Sequence, residues 1–126
     1  MSIRRVTPNI TSNRLVDSLR FYTEFLPFQV AMDLPLDEGR IVTLNSPSNP
    51  TAQLSLVEGI ASDVSDHPMT LTIEVSNVDA LHARAVASRI EVIYPLTTES
   101  WGVRRFHVVD PNGVVVNIMT HHHDAG

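Results

Sequence analysis

The chain has 126 residues, 43% of them hydrophobic, with 14 Asp and Glu against nine Lys and Arg, every one of the nine an Arg, for a formal charge of −5. That length suits one domain, burying about two-thirds of its unfolded surface without a covalent staple. The absence of cysteine excludes a disulfide framework, a thiolate zinc site and a Cys nucleophile. An acidic chain without a basic run is not expected to bind nucleic acid. No apolar stretch approaches the ~18 residues of a membrane helix, and MSIRRVTPNI at the N-terminus lacks the apolar core of a signal peptide. A soluble cytoplasmic protein with no membrane partner is expected.

In chain order, Val6, Pro8 and Ile10 alternate with Thr7, Asn9 and Thr11, the period-two pattern of a strand with one apolar face. Leu15, Leu19, Tyr22 and Leu26 then recur at helical spacing, with Ser12 or Asn13 placed to cap the helix and Pro27 to end it. Three strands are predicted next, over Phe28–Leu34, Arg40–Asn45 and Ala52–Val57, separated by Asp37-Glu38-Gly39 and by the loop Ser46 to Pro50. After a linker from Glu58 to His67 the plan repeats. Leu71, Ile73 and Val75 alternate with Thr70, Thr72 and Glu74. A helix carries Val78, Leu81 and Ala85 on one stripe behind Ser76-Asn77. Strands follow over Glu91–Leu96, Val103–Val109 and Val114–Thr120, the last two joined by the turn Asp110-Pro111-Asn112-Gly113. Matching features, such as Ser12-Asn13 with Ser76-Asn77, are offset by 60 to 64 residues, so the chain holds two βαβββ modules, about 3–58 and about 68–121.

Two motifs carry a family resemblance. DSLRFYTEFLPF, from Asp17 to Phe28, resembles the helix signature S-x-x-F-Y-x-x-x-L-G-F of the vicinal oxygen chelate superfamily, with Pro27 in place of the Gly. WGVRRFHVVDPNGVVVNI, from Trp101 to Ile118, resembles that family's closing hairpin around D-P-x-G. The superfamily includes glyoxalases, extradiol dioxygenases, fosfomycin resistance enzymes and bleomycin-binding proteins. The resemblance implies an α+β fold of two tandem βαβββ modules in a single domain over 1–126, forming a cup-shaped half-barrel sheet with helices outside, and a homodimer.

Many members hold a divalent metal in the cup through His, Glu or Gln. Carried over by position, those places fall on Thr7, Gln53, Thr70 and Asn117. Neutral hydroxyls and amides bind divalent metals weakly, so the family metal site is expected to be lost and no cofactor is expected.

Alternation places Thr7, Asn9, Thr11, Gln53, Ser55, Thr70, Thr72, Glu74, Arg105, His107, Val109, Val115, Asn117, Met119 and His121 on the polar faces. This matches a small-molecule pocket, the preferred reading, with the solvated face of an antiparallel sheet as its alternative. His107 suits a general acid or base, or a donor to a ligand oxygen; it also reads as an ordinary packed histidine. Arg105 suits a carboxylate or phosphonate, or an internal bridge to Glu99, Asp110 or Glu74, whereas Arg104 points to the other face. Trp101 is placed either to stack on an aromatic ligand or to cover the hairpin. His67, His82 and the tail His121-His122-His123 carry no site spacing.

Two readings follow. The first is a metal-independent binder of a small organic molecule, sequestering a toxic natural product, with ligand contacts from Asn9, Gln53, Thr70, Thr72, Trp101, Arg105 and Asn117. The second is an isomerase or lyase with His107 as its acid–base group, or a weak metal-dependent glyoxalase-like enzyme.

Overall fold

The computed structural model describes residues 4–36, 38–59 and 70–121. The chain divides into two compact units, residues 1–66 and 67–126. Residues 60–67 of the expected linker, the turn residue Asp37 and the tail histidines His122 and His123 lie outside the described residues.

The first unit runs β1 (Asn9–Thr11), α1 (Leu15–Arg20), β2 (Gln29–Leu36), β3 (Gly39–Ser46) and β4 (Asn49–Glu58), with its four strands in the order β1-β4-β3-β2. The second runs β5 (Thr70–Glu74), α2 (Val78–Ala87), β6 (Val92–Thr98), β7 (Val103–Val109) and β8 (Val115–His121), in the corresponding order β5-β8-β7-β6. The first strand of each unit pairs parallel with the last, and the remaining pairs are antiparallel. The internal repeat in the sequence is therefore a repeat of topology, and the class is α+β. No helix among the described residues is long and apolar enough to cross a membrane.

Each core is one sheet face under one helix. In the first unit Ile10, Leu56 and Val42 lie side by side across three strands with Leu54 and Leu44 in the next row, all buried. In the second, Ile118 with Phe106 and Val116 with Val108 do the same, beside α2 residues Val78, Leu81 and Ala85. The period-3.6 stripe thus meets the period-2 stripe, as burial of both apolar faces requires. Asn77 caps α2 through its side-chain oxygen, which accepts from Ala80 N at 3.0 Å. Asp110 builds the β7–β8 turn, its Oδ1 accepting from the backbone N–H of Asn112 and of Val114, both at 2.8 Å.

Four local expectations are corrected. Only Asn9–Thr11 of the first alternating run pairs as a strand, and Val6 is 74% exposed. Arg14, not Ser12 or Asn13, is the N-cap of α1, while Ser12 folds back to accept from Arg14 N at 3.1 Å. The first helix does not stay α-helical to Leu26: Phe21–Phe25 form a π turn, closed by Leu26 N donating to Phe21 O at 3.0 Å. The wider turn brings Phe21, Tyr22, Phe25 and Leu26 all inside, and Leu26 is extended, as a residue before proline prefers. Finally, the loop expected over Ser46 to Pro50 is a tight turn in which Ser46 pairs with Asn49; the register shifts there, and Pro50 sits where no ladder N–H is needed.

Candidate functional site

With the apolar faces consumed by the helices, the chemistry lies on the opposite faces. In the second unit the register lines up Thr72, Asn117, His107 and Tyr94 across all four strands. The adjacent row holds Glu74, Met119, Arg105 and Thr97. Thr70 shares the face one row further on, beside Val115. Arg105, His107 and Asn117, expected on a polar face, are brought together there.

The centre of this face is a stack of planar groups. The Arg105 guanidinium carbon lies 5.1 Å from the Tyr94 ring centroid and 5.3 Å from that of Trp101. On its far side Tyr94 lies 4.8 Å from the His107 ring at an interplanar angle of 34°. Each cation–π contact contributes about 0.5–2 kcal/mol, depending on desolvation. Arg105 also reaches Glu99, Nη2 to Oε2 at 3.5 Å, and Glu99 accepts from the Tyr94 hydroxyl at 2.7 Å. Of the partners open to Arg105 in sequence, Glu99 is the one realised. Glu74 pairs with His121 at 2.7 Å, and Asp110 serves its own turn. Arg104, on the opposite face, is bound to Asp79 of α2 at 2.8 Å and raises no question of ligand chemistry. The hydrogen bonds it donates, and then its charge, hold the Asp79 carboxyl below the usual carboxylate range.

His107 is half-buried. Burial lowers its pKa below the ordinary 6.5, and the Arg105 charge adds to the effect, while Asn117 and Glu99 oppose it. Its Nε2, the Oδ1 of Asn117 and the Nε of Arg105 are buried without hydrogen-bond partners among the described residues. Three unpaired polar atoms on adjacent positions of one face are costly; Asn45 Oδ1 of the first unit is a fourth such atom among the described residues. Asn117 Nδ2 donates weakly to Thr72 Oγ1 at 3.3 Å. Trp101 is 63% exposed in the β6–β7 loop, so it does not cover the hairpin core.

The first unit has its own polar face, with Asn9, Ser55 and Thr43 in one row and Gln53 beside Asn45 in the next. Thr43 and Ser55 form a buried hydroxyl pair at 2.8 Å. Gln53 Oε1 accepts from the Arg5 guanidinium at 3.0 Å and from the Thr7 hydroxyl at 3.2 Å, and its Nε2 donates to Pro50 O at 2.9 Å. Asn9 and Gln53 therefore belong to a different face from Thr70, Thr72, Trp101, Arg105 and Asn117.

The four places that the family resemblance assigns to metal ligands carry no carboxylate and no imidazole. Thr7, Gln53, Thr70 and Asn117 supply only neutral oxygens, and the Gln53 oxygen a metal would need already carries a guanidinium. No group of three or more His, Cys, Asp or Glu among the described residues is arranged to hold a metal.

Tyr94 is the residue that sequence reasoning missed. Simple alternation puts it on the face of Val92, which pairs with Val108 of the core. The register shift between Val92 and Tyr94 turns it to the side of His107 instead. A proline at 95 beside an aromatic residue was the available signal.

The family model described as the Glyoxalase/Bleomycin resistance protein/Dioxygenase superfamily matches residues 3–118. No curated protein matches the chain. Among solved structures, TnmS3, an antibiotic binding protein from Streptomyces sp. CB03234, superposes with a TM-score of 0.79 at 24% identity, covering 96% of this chain and 98% of that one. A glyoxalase/bleomycin resistance protein from the same strain gives 0.72 at 23% identity, covering 90% and 97%. The trypanothione-dependent glyoxalase I of Leishmania major gives 0.75 at 24% identity, covering 94% and 87%. Binder and enzyme are about equally alike in fold, so fold alone does not choose between them.

Proposed function

Because the chain belongs to the Glyoxalase/Bleomycin resistance protein/Dioxygenase superfamily, we propose that it is a metal-independent binding protein for a small organic molecule. The observation that carries this reading is the second unit's polar face: an exposed indole over Arg105, next to unpaired polar atoms of Arg105, His107 and Asn117. Flat aromatic surface with a few convergent polar groups is the composition of a ligand site. Trp101 and Tyr94 supply apolar contact, and Asn117 and Thr72 supply neutral hydrogen bonding. Thr70 extends the face, and on the first unit Asn9 offers a neutral group, whereas Gln53 would first have to leave Arg5, Thr7 and Pro50. An antibiotic binding protein and a glyoxalase/bleomycin resistance protein of one Streptomyces strain share the fold; a glyoxalase I shares it too, so the support for sequestration of a toxic natural product as the role is the aromatic surface with its neutral hydrogen-bonding groups.

The neutral donors at Thr7, Gln53, Thr70 and Asn117 support a site that works without a metal. A second reading keeps His107 as an acid–base group, favoured by burial that disfavours its charged form and leaves the free imidazole as the resting base.

The test is a thermal-shift screen against a panel of antibiotics, on protein treated with a chelator and on untreated protein, followed by mass spectrometry of the released compound. A binder gives the same melting increase in both samples and returns its ligand unaltered. A converted product that disappears in His107→Ala moves the assignment to the enzyme reading. Sedimentation of the same protein checks the homodimer that the family resemblance implies.

A further inference from the structure

We propose that Glu99 sets the charge class of the ligand: by neutralising Arg105 it makes the Tyr94–Arg105–Trp101 stack a site for a neutral planar aromatic molecule and turns aromatic carboxylates away. The inference rests on the binding reading above and specifies its ligand.

A guanidinium offers two faces and an edge of N–H donors. Tyr94 and Trp101 both lie within cation–π distance of Arg105, and Glu99 takes Nη2. A lone arginine on a sheet face would recruit a carboxylate, the role its residue type suggests from sequence. Here the carboxylate is already supplied from within the chain. Glu99 is held in place: its side chain is 10% exposed, its Oε1 accepts from the Tyr94 hydroxyl, and its backbone N–H donates to Val103 O at 2.7 Å. An incoming anion would have to displace that carboxylate or sit beside it.

The neighbours do not offset this balance. His107, the next ring in the stack, has its charged form disfavoured by burial. Glu74, in the same row as Arg105, adds a further carboxylate, paired with His121. The remaining polar groups, Asn117 and Thr72, are neutral. What the face offers to a ligand is the exposed indole of Trp101 and neutral hydrogen bonding, which suits an uncharged flat ring system carrying an amide, carbonyl or hydroxyl.

Trp101 is the only tryptophan of the chain, so its fluorescence reports on this site. The probes are naphthalene-2-carboxamide and naphthalene-2-carboxylate, matched in shape and differing in charge, titrated at pH 8 and at high salt to screen the overall charge. Wild type binds the carboxamide at least about tenfold more tightly than the carboxylate. Glu99→Gln, which keeps an acceptor for Tyr94, reverses the order, whereas Glu24→Gln, an equal change in net charge elsewhere, leaves it alone. Should Glu99→Gln fail to fold, Arg105→Met provides the second arm and drives the ratio further toward the carboxamide. The proposal is overturned if wild type takes the carboxylate equally well, if the ratio ignores both Glu99 and Arg105, or if neither probe perturbs Trp101. An antibiotic that shifts the melting temperature but carries an aromatic carboxylate at this face sinks the charge rule and leaves the binding reading standing. A panel with no binder at all removes the binding reading itself.

Discussion

The Tyr94 hydroxyl donates to the Glu99 carboxylate across 2.7 Å, although the two residues are five apart in a strand and the turn that follows it. A regular strand spaces residues five apart by about 16 Å and points them to opposite faces. The shift of register between Tyr94 and Thr97, with Pro95 in it, folds the strand so that they meet. One irregularity therefore orients an aromatic ring, an acid and, through them, Arg105.

Removing that hydroxyl isolates its contribution. Tyr94→Phe keeps the ring against Arg105 and His107 but leaves Glu99 Oε1 without its donor. Hydrogen bonds to charged acceptors contribute about 1.5–3 kcal/mol. With the pair only part-buried, we expect a loss at the lower end, about 1–2 kcal/mol, read from urea unfolding. Tyr94→Leu should cost measurably more, since it also discards the two ring contacts.

The depressed pKa of His107 predicts the pH dependence of stability. The folded state favours the neutral ring, so as pH falls the unfolded chain takes up a proton first, near 6.5. The fold keeps its full stability above that pH and loses part of it below, until the folded-state pKa is also passed. Urea midpoints at pH 8 and pH 5.5 should therefore differ, and His107→Gln should narrow the difference. An unchanged difference would place its cause in other groups.

How much of this was legible in the sequence depends on whether hydrogen-bond register or residue type decides the outcome. The repeat, both helices, the core stripes such as Val78, Leu81 and Ala85, and the Asp110 turn follow from periodicity and turn chemistry, and all are found. Arg105, His107 and Asn117 share a face because β7 and β8 pair without a shift. Tyr94 was not legible, because a register shift inverts the alternation that sequence reading relies on. The choice of Glu99 as the partner of Arg105 was open for a similar reason: turn geometry, not residue type, brings it within 3.5 Å. The π turn at Phe21–Phe25 likewise reflects packing of four large side chains, which helical spacing alone does not reveal.

Two glycines with similar backbones should respond very differently to alanine. Gly113 has φ +83° with no heavy atom near an added Cβ, so Gly113→Ala carries only the left-handed penalty, about 1–2 kcal/mol. Gly59 has φ +87°, and a Cβ there would lie 1.7 Å from the Glu38 carbonyl oxygen. That atom is backbone and must be displaced, so Gly59→Ala should cost at least about 3 kcal/mol or abolish folding. Comparing the two variants by thermal melting separates conformational strain from steric conflict.

Gln53 Oε1 is held by Arg5 and Thr7, and the other three family places offer a hydroxyl or an amide. A protein that relies on a bound divalent ion loses stability when the ion is stripped, by mass action. On a chain truncated after His121, to remove the remaining tail histidines, chelation should leave the melting temperature unchanged, and adding zinc, nickel or manganese should not raise it. Arg5→Ala makes the test stricter by vacating the Gln53 oxygen. If these places still bind no ion, metals remain without effect in that variant. If Arg5 instead stands in for a cation that the site would otherwise take, the melting temperature rises with added metal in Arg5→Ala alone. A rise in the truncated protein with Arg5 intact would contradict the donor-set argument and return metal-dependent chemistry to consideration.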